Sequence, residues 1–169
     1  LVDRISLIGM MGSGKSTVAR LLASRLGWVV LDSDAQVETN TGRTVREIFE
    51  SDGEAAFRVE ERRALEHALA FPSPTVVAVA GGAVLDPGNR RLLKEKGGRI
   101  VWLRAAPEVL ATRVASGRDH RPLLGDDAGA ALARLDGERR PLYEGLADLV
   151  VDVDEASPAA AAEAILGSL

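Results

Sequence analysis

The stretch "GMMGSGKST", residues 9–17, follows directly on the apolar run "ISLI" and leads into "VARLLASRLG". A short β-prone run, a glycine-rich turn and a helical pattern therefore occur in that order. The turn has the spacing Gly9-x-x-x-x-Gly14-Lys15-Ser16. Glycines at this spacing let backbone N–H groups converge on one anion, and the N-terminus of the following helix adds its dipole. In this pattern Lys15 reaches the β- and γ-phosphates and the Ser16 hydroxyl ligates Mg²⁺. A glycine-rich turn can also merely join a strand to a helix. With strand, motif and helix in register, a nucleotide-phosphate site is the stronger reading, with Gly12, Ser13, Gly14, Lys15, Ser16 and Thr17 around the phosphates.

Outward from this loop, apolar runs alternate with helical patterns. Runs at 5–8, 28–31, 75–80, 99–103 and 148–151 are short and rich in valine and isoleucine. That is the composition expected of parallel strands covered on both faces. In "KSTVARLLASRLG", Val18, Leu21, Leu22 and Leu26 share one helix side, and Gly27 supplies a stop. "EAAFRVEERRALEHALA" repeats the pattern with Phe57, Leu65 and Leu69. A C-terminal helix is predicted from "SPAAAAEAILGSL", with Ser157 as N-cap and Pro158 at its first position. Strand–helix alternation predicts a three-layer α/β domain with right-handed crossovers. Two segments break the rhythm. Residues 32–74 are helical in pattern throughout. Residues 116–130, "SGRDHRPLLGDDAGA", are rich in Gly, Asp and Arg, with Gly117, Gly125 and Gly129 as candidate hinges.

The 169 residues are 46% hydrophobic, which suits one domain, 1–169, with a sizeable core. The net charge is −4 and the basic residues are dispersed, so a nucleic-acid partner is not expected. There is no cysteine, which excludes disulfides, thiolate metal sites and cysteine nucleophiles. His67 and His120 lie far apart without metal-ligand spacing. No apolar run can span a bilayer, and "LVDRISLIG" lacks the marks of a signal peptide. A cytoplasmic protein acting without a membrane is expected.

The third apolar run ends in glycine, whereas the second ends in the acids of "LDSD", Asp32 and Asp34. In an open α/β sheet, strand ends beside the phosphate loop form the ligand crevice. One acid can hold Mg²⁺ through water while the other meets an incoming hydroxyl. Alternatively Asp34 only caps the next helix, a reading that leaves Asp32 unexplained. Gly81-Gly82 either lets a ligand approach the backbone or forms an ordinary turn. Arg58, Arg121 and Arg139 are either solvated or set as forks for a carboxylate or phosphate. Trp28 and Trp102 read as core, Met10 and Met11 as loop fillers, and His67 as an exposed helix residue.

Taken together, "GMMGSGKST", "LDSD", "FRxxE" (residues 57–61), "GGAV", "RPLL" and "RRPLY" resemble the shikimate kinases in order and spacing, essentially end to end. The resemblance implies a P-loop kinase fold of the nucleoside-monophosphate-kinase type, with a five-stranded parallel sheet in the order 2-3-1-4-5. It implies an ATP-dependent kinase making shikimate 3-phosphate in the chorismate pathway, with Mg²⁺ as cofactor and a monomeric state. Asp34, Arg58, Gly81, Gly82 and Arg139 would bind shikimate, the two arginines at its carboxylate and Asp34 at its 3-hydroxyl. Lys15 and Arg121 would stabilise the transferring phosphoryl group, and Ser16 and Asp32 would serve Mg²⁺, Asp32 through water. Asp34, Lys15 and Arg121 are then the catalytic residues. Residues 33–61 would form the shikimate-binding insertion and 116–124 a lid. Many members read three glycines where this chain has Ala80-Gly81-Gly82. "VDVDEASP" is similar to the family's adenine loop, but Ala156 replaces an arginine of some members, leaving Arg113 or Arg118 to cover the adenine. A gluconate kinase and a non-catalytic nucleotide binder are the competing readings. The first does not require two arginines set for a carboxylate beside "LDSD", and the second would be favoured by loss of Asp34, Lys15 or Arg121, all of which are present.

Overall fold

The computed structural model describes residues 1–116 and 127–169. Its elements run β1 (Arg4–Ile8), α1 (Lys15–Leu26), β2 (Val29–Asp32), α2 (Ser33–Thr41), α3 (Val45–Ala70), β3 (Thr75–Ala78), a 3₁₀ turn (Ala83–Leu85), α4 (Pro87–Lys96), β4 (Arg99–Arg104), α5 (Pro107–Ser116), α6 (Ala128–Leu146), β5 (Leu149–Asp152) and α7 (Pro158–Leu166). The five strands form one sheet in the order β2-β3-β1-β4-β5, and every neighbouring pair is parallel. The expected fold is therefore the observed one. Parallel pairing aligns the C-terminal strand ends, and these carry Gly9, Asp32 and the Gly81-Gly82 turn to one rim of the sheet.

The four central-strand residues Ile5, Leu7, Val76 and Val77 are wholly buried, as are Val101 and Leu103 of β4. Helix α1 packs on this core through Val18, Ala19, Leu22 and Ala23, with Leu21 and Leu26 partly buried beside them. Its end at left-handed Gly27 is as predicted. Ser157 caps α7 by accepting a hydrogen bond from the Ala160 N–H (3.1 Å), with Pro158 at the first position. Trp102 is buried, whereas Trp28 is only partly so. Strand β2 departs from the expectation of full cover. It is an edge strand, and Val29 and Val30 are 46% and 38% exposed.

The helical stretch after β2 is an insertion with its own small core of Val37, Ile48, Phe57 and Ala64. Thr44 starts α3 with a capping box, its hydroxyl accepting from Glu47 N–H while the Glu47 carboxylate accepts from Thr44 N–H. The helix is broken at Gly53 (φ 85°, ψ 175°), which divides it into a short first part and a longer second part carrying Arg58 and Glu61. Leu65 and Leu69 then return the chain to the main core. The insertion is pinned at its start, where the buried Ser33 hydroxyl accepts from Ala80 N–H at 2.8 Å. Among the described residues no helix is long and apolar enough to cross a membrane.

Candidate active site

The loop between β1 and α1 owes its shape to backbone that side chains resist. Gly14, at the N-cap of α1, has φ 89°, a left-handed conformation that glycine adopts without steric cost. No side chain caps this helix start, which leaves its first-turn amides to the loop. The Lys15 ammonium donates to the carbonyls of Gly9 (2.8 Å) and Met10 (2.9 Å), so it lies folded over the loop it is expected to serve. Ser13 is buried, Ser16 half-buried and Thr17 exposed.

Asp32 joins this loop to the insertion. One carboxylate oxygen accepts the Ser16 hydroxyl. The other accepts the N–H groups of Asp34 (3.0 Å) and Ala35 (3.2 Å), making Asp32 the N-cap of α2. This corrects the alternative in which Asp34 is the cap and Asp32 goes unexplained. The strand runs one residue further than predicted, through Asp32, so the helix begins at Ser33 and its cap falls two positions earlier. Asp34 thereby sits inside the first turn, half-buried, and close enough to Glu61 to act on its titration.

The two glycines after β3 each face an arginine. A side-chain carbon on Gly82 would stand 2.3 Å from Arg58 Nη1, and one on Gly81 would stand 3.5 Å from Arg139 Nη1. The same carbon on Gly81 would lie 3.2 Å from the Gly9 carbonyl oxygen, so the turn also abuts the phosphate loop. Arg58 Nη1 donates to both Glu61 oxygens at 2.9 Å, and Nη2 reaches Glu54 at 3.2 Å. Glu61 is buried, and that desolvation raises its carboxyl to about 7 against the opposing pull of the Arg58 guanidinium. Arg139 is 1% exposed, and its Nε and Nη1 have no hydrogen-bond partner among the described residues. A buried guanidinium with unsatisfied N–H groups is a site prepared for an anion. One helical turn further along α6, Tyr143 donates its hydroxyl to the Gly81 carbonyl at 2.7 Å.

The structure thus gathers Lys15, Ser16 and Asp32 at the loop, and Gly81, Gly82, Arg58 and Arg139 beside it, with Asp34 and Arg139 both acting on Glu61. Arg121, Arg118 and the proposed lid beyond Ser116 lie outside the described residues. Arg113 donates to the Val153 carbonyl and, at 3.4 Å, to the carbonyls of Asp154 and Gly12, which sets it against the "VDVDEASP" segment. Glu61 and Tyr143 stand within recognised motifs without a role assigned from sequence. Their signal was helical spacing: Glu61 is three residues from Arg58, and Tyr143 four from Arg139. Ser33 carried no such signal.

A protein-family model described as "Shikimate kinase" matches residues 11–169. The shikimate kinase of Thiobacillus denitrificans is 41% identical over 99% of this chain and 90% of its own length. That of Thermobifida fusca is 46% identical over 96% and 92%. The solved shikimate kinase of Acinetobacter baumannii, in complex with shikimate, superposes with a TM-score of 0.93 at 35% identity, covering 99% of this chain and 92% of that one. With a family match across nearly its whole length and relatives at 41% and 46% identity, the chain belongs to the shikimate kinase family.

Proposed function

We propose that the chain transfers the γ-phosphoryl group of ATP to the 3-hydroxyl of shikimate, giving shikimate 3-phosphate and ADP, as a step of aromatic amino-acid biosynthesis. The observation that carries the acceptor assignment is the buried Arg139, whose Nε and Nη1 lack partners among the described residues and whose guanidinium lies against Gly81. Desolvating a cation without pairing it is costly, so the site is poised for an anionic group. With Arg58 against the next glycine, two planar forks border one turn beside the phosphate loop. A substrate carboxylate held there leaves the ring hydroxyls to reach toward Asp34.

In this reading, Lys15 leaves the Gly9 and Met10 carbonyls for the β- and γ-phosphate oxygens. Asp34 orients the acceptor hydroxyl. The hydroxyl oxygen bonds to the γ-phosphorus as the bond to the ADP oxygen breaks, and the hydroxyl proton passes late to Asp34. The transition state is loose, so positioning and charge stabilisation do most of the work. Ser16 and Asp32 present hard oxygen donors already in contact, a fit for Mg²⁺, which keeps most of its waters and takes few protein ligands. Bound there with ATP, the ion supplies neutralisation of phosphate charge. Residues 33–61 serve as the shikimate-binding insertion, and Arg121 is assigned to the transferring phosphoryl group by resemblance to the family. The acidic net charge of −4 supports a chain that works without nucleic acid, and we assign it to the cytoplasm as a monomer.

A coupled assay of ADP release with shikimate, with gluconate and with no acceptor tests the reading. Release only with shikimate is expected. Release with gluconate alone identifies the wrong acceptor, and release with neither acceptor leaves a nucleotide binder.

A further inference from the structure

We infer that Tyr143 is a positioning residue for the acceptor: its hydroxyl locks the Gly81–Gly82 peptide in the one orientation in which the turn fits substrate. This rests on the shikimate reading above.

The turn has an intrinsic weakness. Two adjacent glycines leave the peptide between them free to rotate, since neither residue has a side chain to forbid the alternative dihedrals. The Gly81–Gly82 bond is trans, so holding its carbonyl oxygen also fixes the opposite direction of the Gly82 N–H. Hydrogen bonds on either side do not fix this plane. Ala83 N–H donates to the Ala80 carbonyl and Leu85 N–H to the Gly82 carbonyl. The Gly81 carbonyl is instead held by Tyr143 from a different element, 62 residues away.

Tyr143 is itself held by packing. It is wholly buried, and its ring packs on Trp102 with centroids 5.7 Å apart. Trp102 pairs in the sheet with Ile8, the residue before the phosphate loop. The hydroxyl is therefore referenced to the strand that aims the donor loop, and one helical turn separates it from Arg139. One residue thus sets the acceptor turn against both the guanidinium and the Gly9 carbonyl. Burial pushes the phenol well above its ordinary range, so it remains a hydrogen-bond donor throughout neutral pH.

The test is Tyr143→Phe, which removes the oxygen and keeps the ring. The readouts are steady-state constants for shikimate and for ATP, with ATP binding at equilibrium on the same preparation. Losing the hydroxyl, with its bond to Gly81 and its contact with the Arg139 guanidinium, should raise KM for shikimate by about 3- to 10-fold. KM and Kd for ATP should not change. An unchanged KM for shikimate overturns the inference. So does a parallel rise for both substrates, because a purely structural role would loosen the donor loop as much as the acceptor turn. The wild-type arm separates the two levels: if wild type does not turn over shikimate, the functional reading fails and the inference falls with it. If wild type turns over shikimate and the variant matches it, the functional reading stands and the inference alone fails.

Discussion

Replacing Arg139 with methionine should make the ligand-free protein more stable and the enzyme worse. The guanidinium is 1% exposed, with Nε and Nη1 unpartnered among the described residues. Each buried polar group left without a hydrogen bond costs roughly 1–3 kcal/mol. Methionine retains an unbranched stem that fills most of the same path and leaves nothing to desolvate. Against this stand some lost packing, the lost contact with the Tyr143 hydroxyl, and the lost attraction to Glu61, which is small because that carboxyl, raised to about 7, is only partly ionised at neutrality. The net expectation is a gain of about 1–3 kcal/mol, with each kcal/mol worth roughly 2–4 °C in Tm for a chain of this size. Substrate binding should move the other way. A charge-assisted hydrogen bond contributes about 1.5–3 kcal/mol, so KM for shikimate should rise roughly 10- to 100-fold while KM for ATP stays level. Urea unfolding of the ligand-free proteins at pH 7, with steady-state kinetics alongside, measures both sides. A methionine variant that is less stable and binds shikimate as wild type does would refute the reasoning, since Arg139 would then be a structural cation.

Two further outcomes are expected. Asp34→Asn should keep shikimate and ATP binding within a few-fold and lower kcat by roughly 10²–10⁴, the range for a lost general base; wild-type turnover in single-turnover measurements would remove Asp34 from the chemistry. Glu61 should make stability depend on pH. Its folded-state value of about 7 lies above the ordinary 4.5, so between those values the folded protein holds a proton that the unfolded chain has released. The associated stability is complete below 4.5 and is lost as pH rises through 7, a difference of up to about 3 kcal/mol. Unfolding at pH 5 and pH 8 should show this fall in wild type and not in Glu61→Gln; parallel behaviour of the two proteins would show that the carboxyl is not shifted.

What could be read from sequence was what is local in sequence. The phosphate loop is a contiguous motif whose glycine spacing dictates its backbone, and the observed left-handed Gly14 follows from it. The strand order was legible only through the resemblance, because alternation of strands and helices is compatible with several orders. Asp32 and Asp34 were recognised as a pair, but a one-residue difference in where β2 ends decides which of them caps α2. The Arg58–Glu61 pair was visible as spacing, yet its burial depends on how the insertion folds back toward Gly82. The contact between Tyr143 and Gly81 joins residues with no local relation. The exposure of Val29 and Val30 escaped the pattern for a similar reason: an apolar run does not say whether its strand is central or at an edge.

Those edges have a colloidal consequence. A free sheet edge offers unpaired N–H and C=O groups to any passing strand, and the usual outcome of a long apolar edge is aggregation. Here both edge strands, Val29–Asp32 and Leu149–Asp152, are only four residues long and end in aspartate. On β5 the terminal carboxylate is held by Arg104, with Nε to Oδ1 at 2.6 Å, so that edge presents an ion pair rather than a bare template. On β2 the terminal carboxylate is engaged by Ser16 and the α2 amides, and the two exposed valines precede it. Each edge also exposes valine, Val29 and Val30 on β2 and Val150 on β5, so the shortness of both strands and the charge at their ends are what limit edge-to-edge pairing.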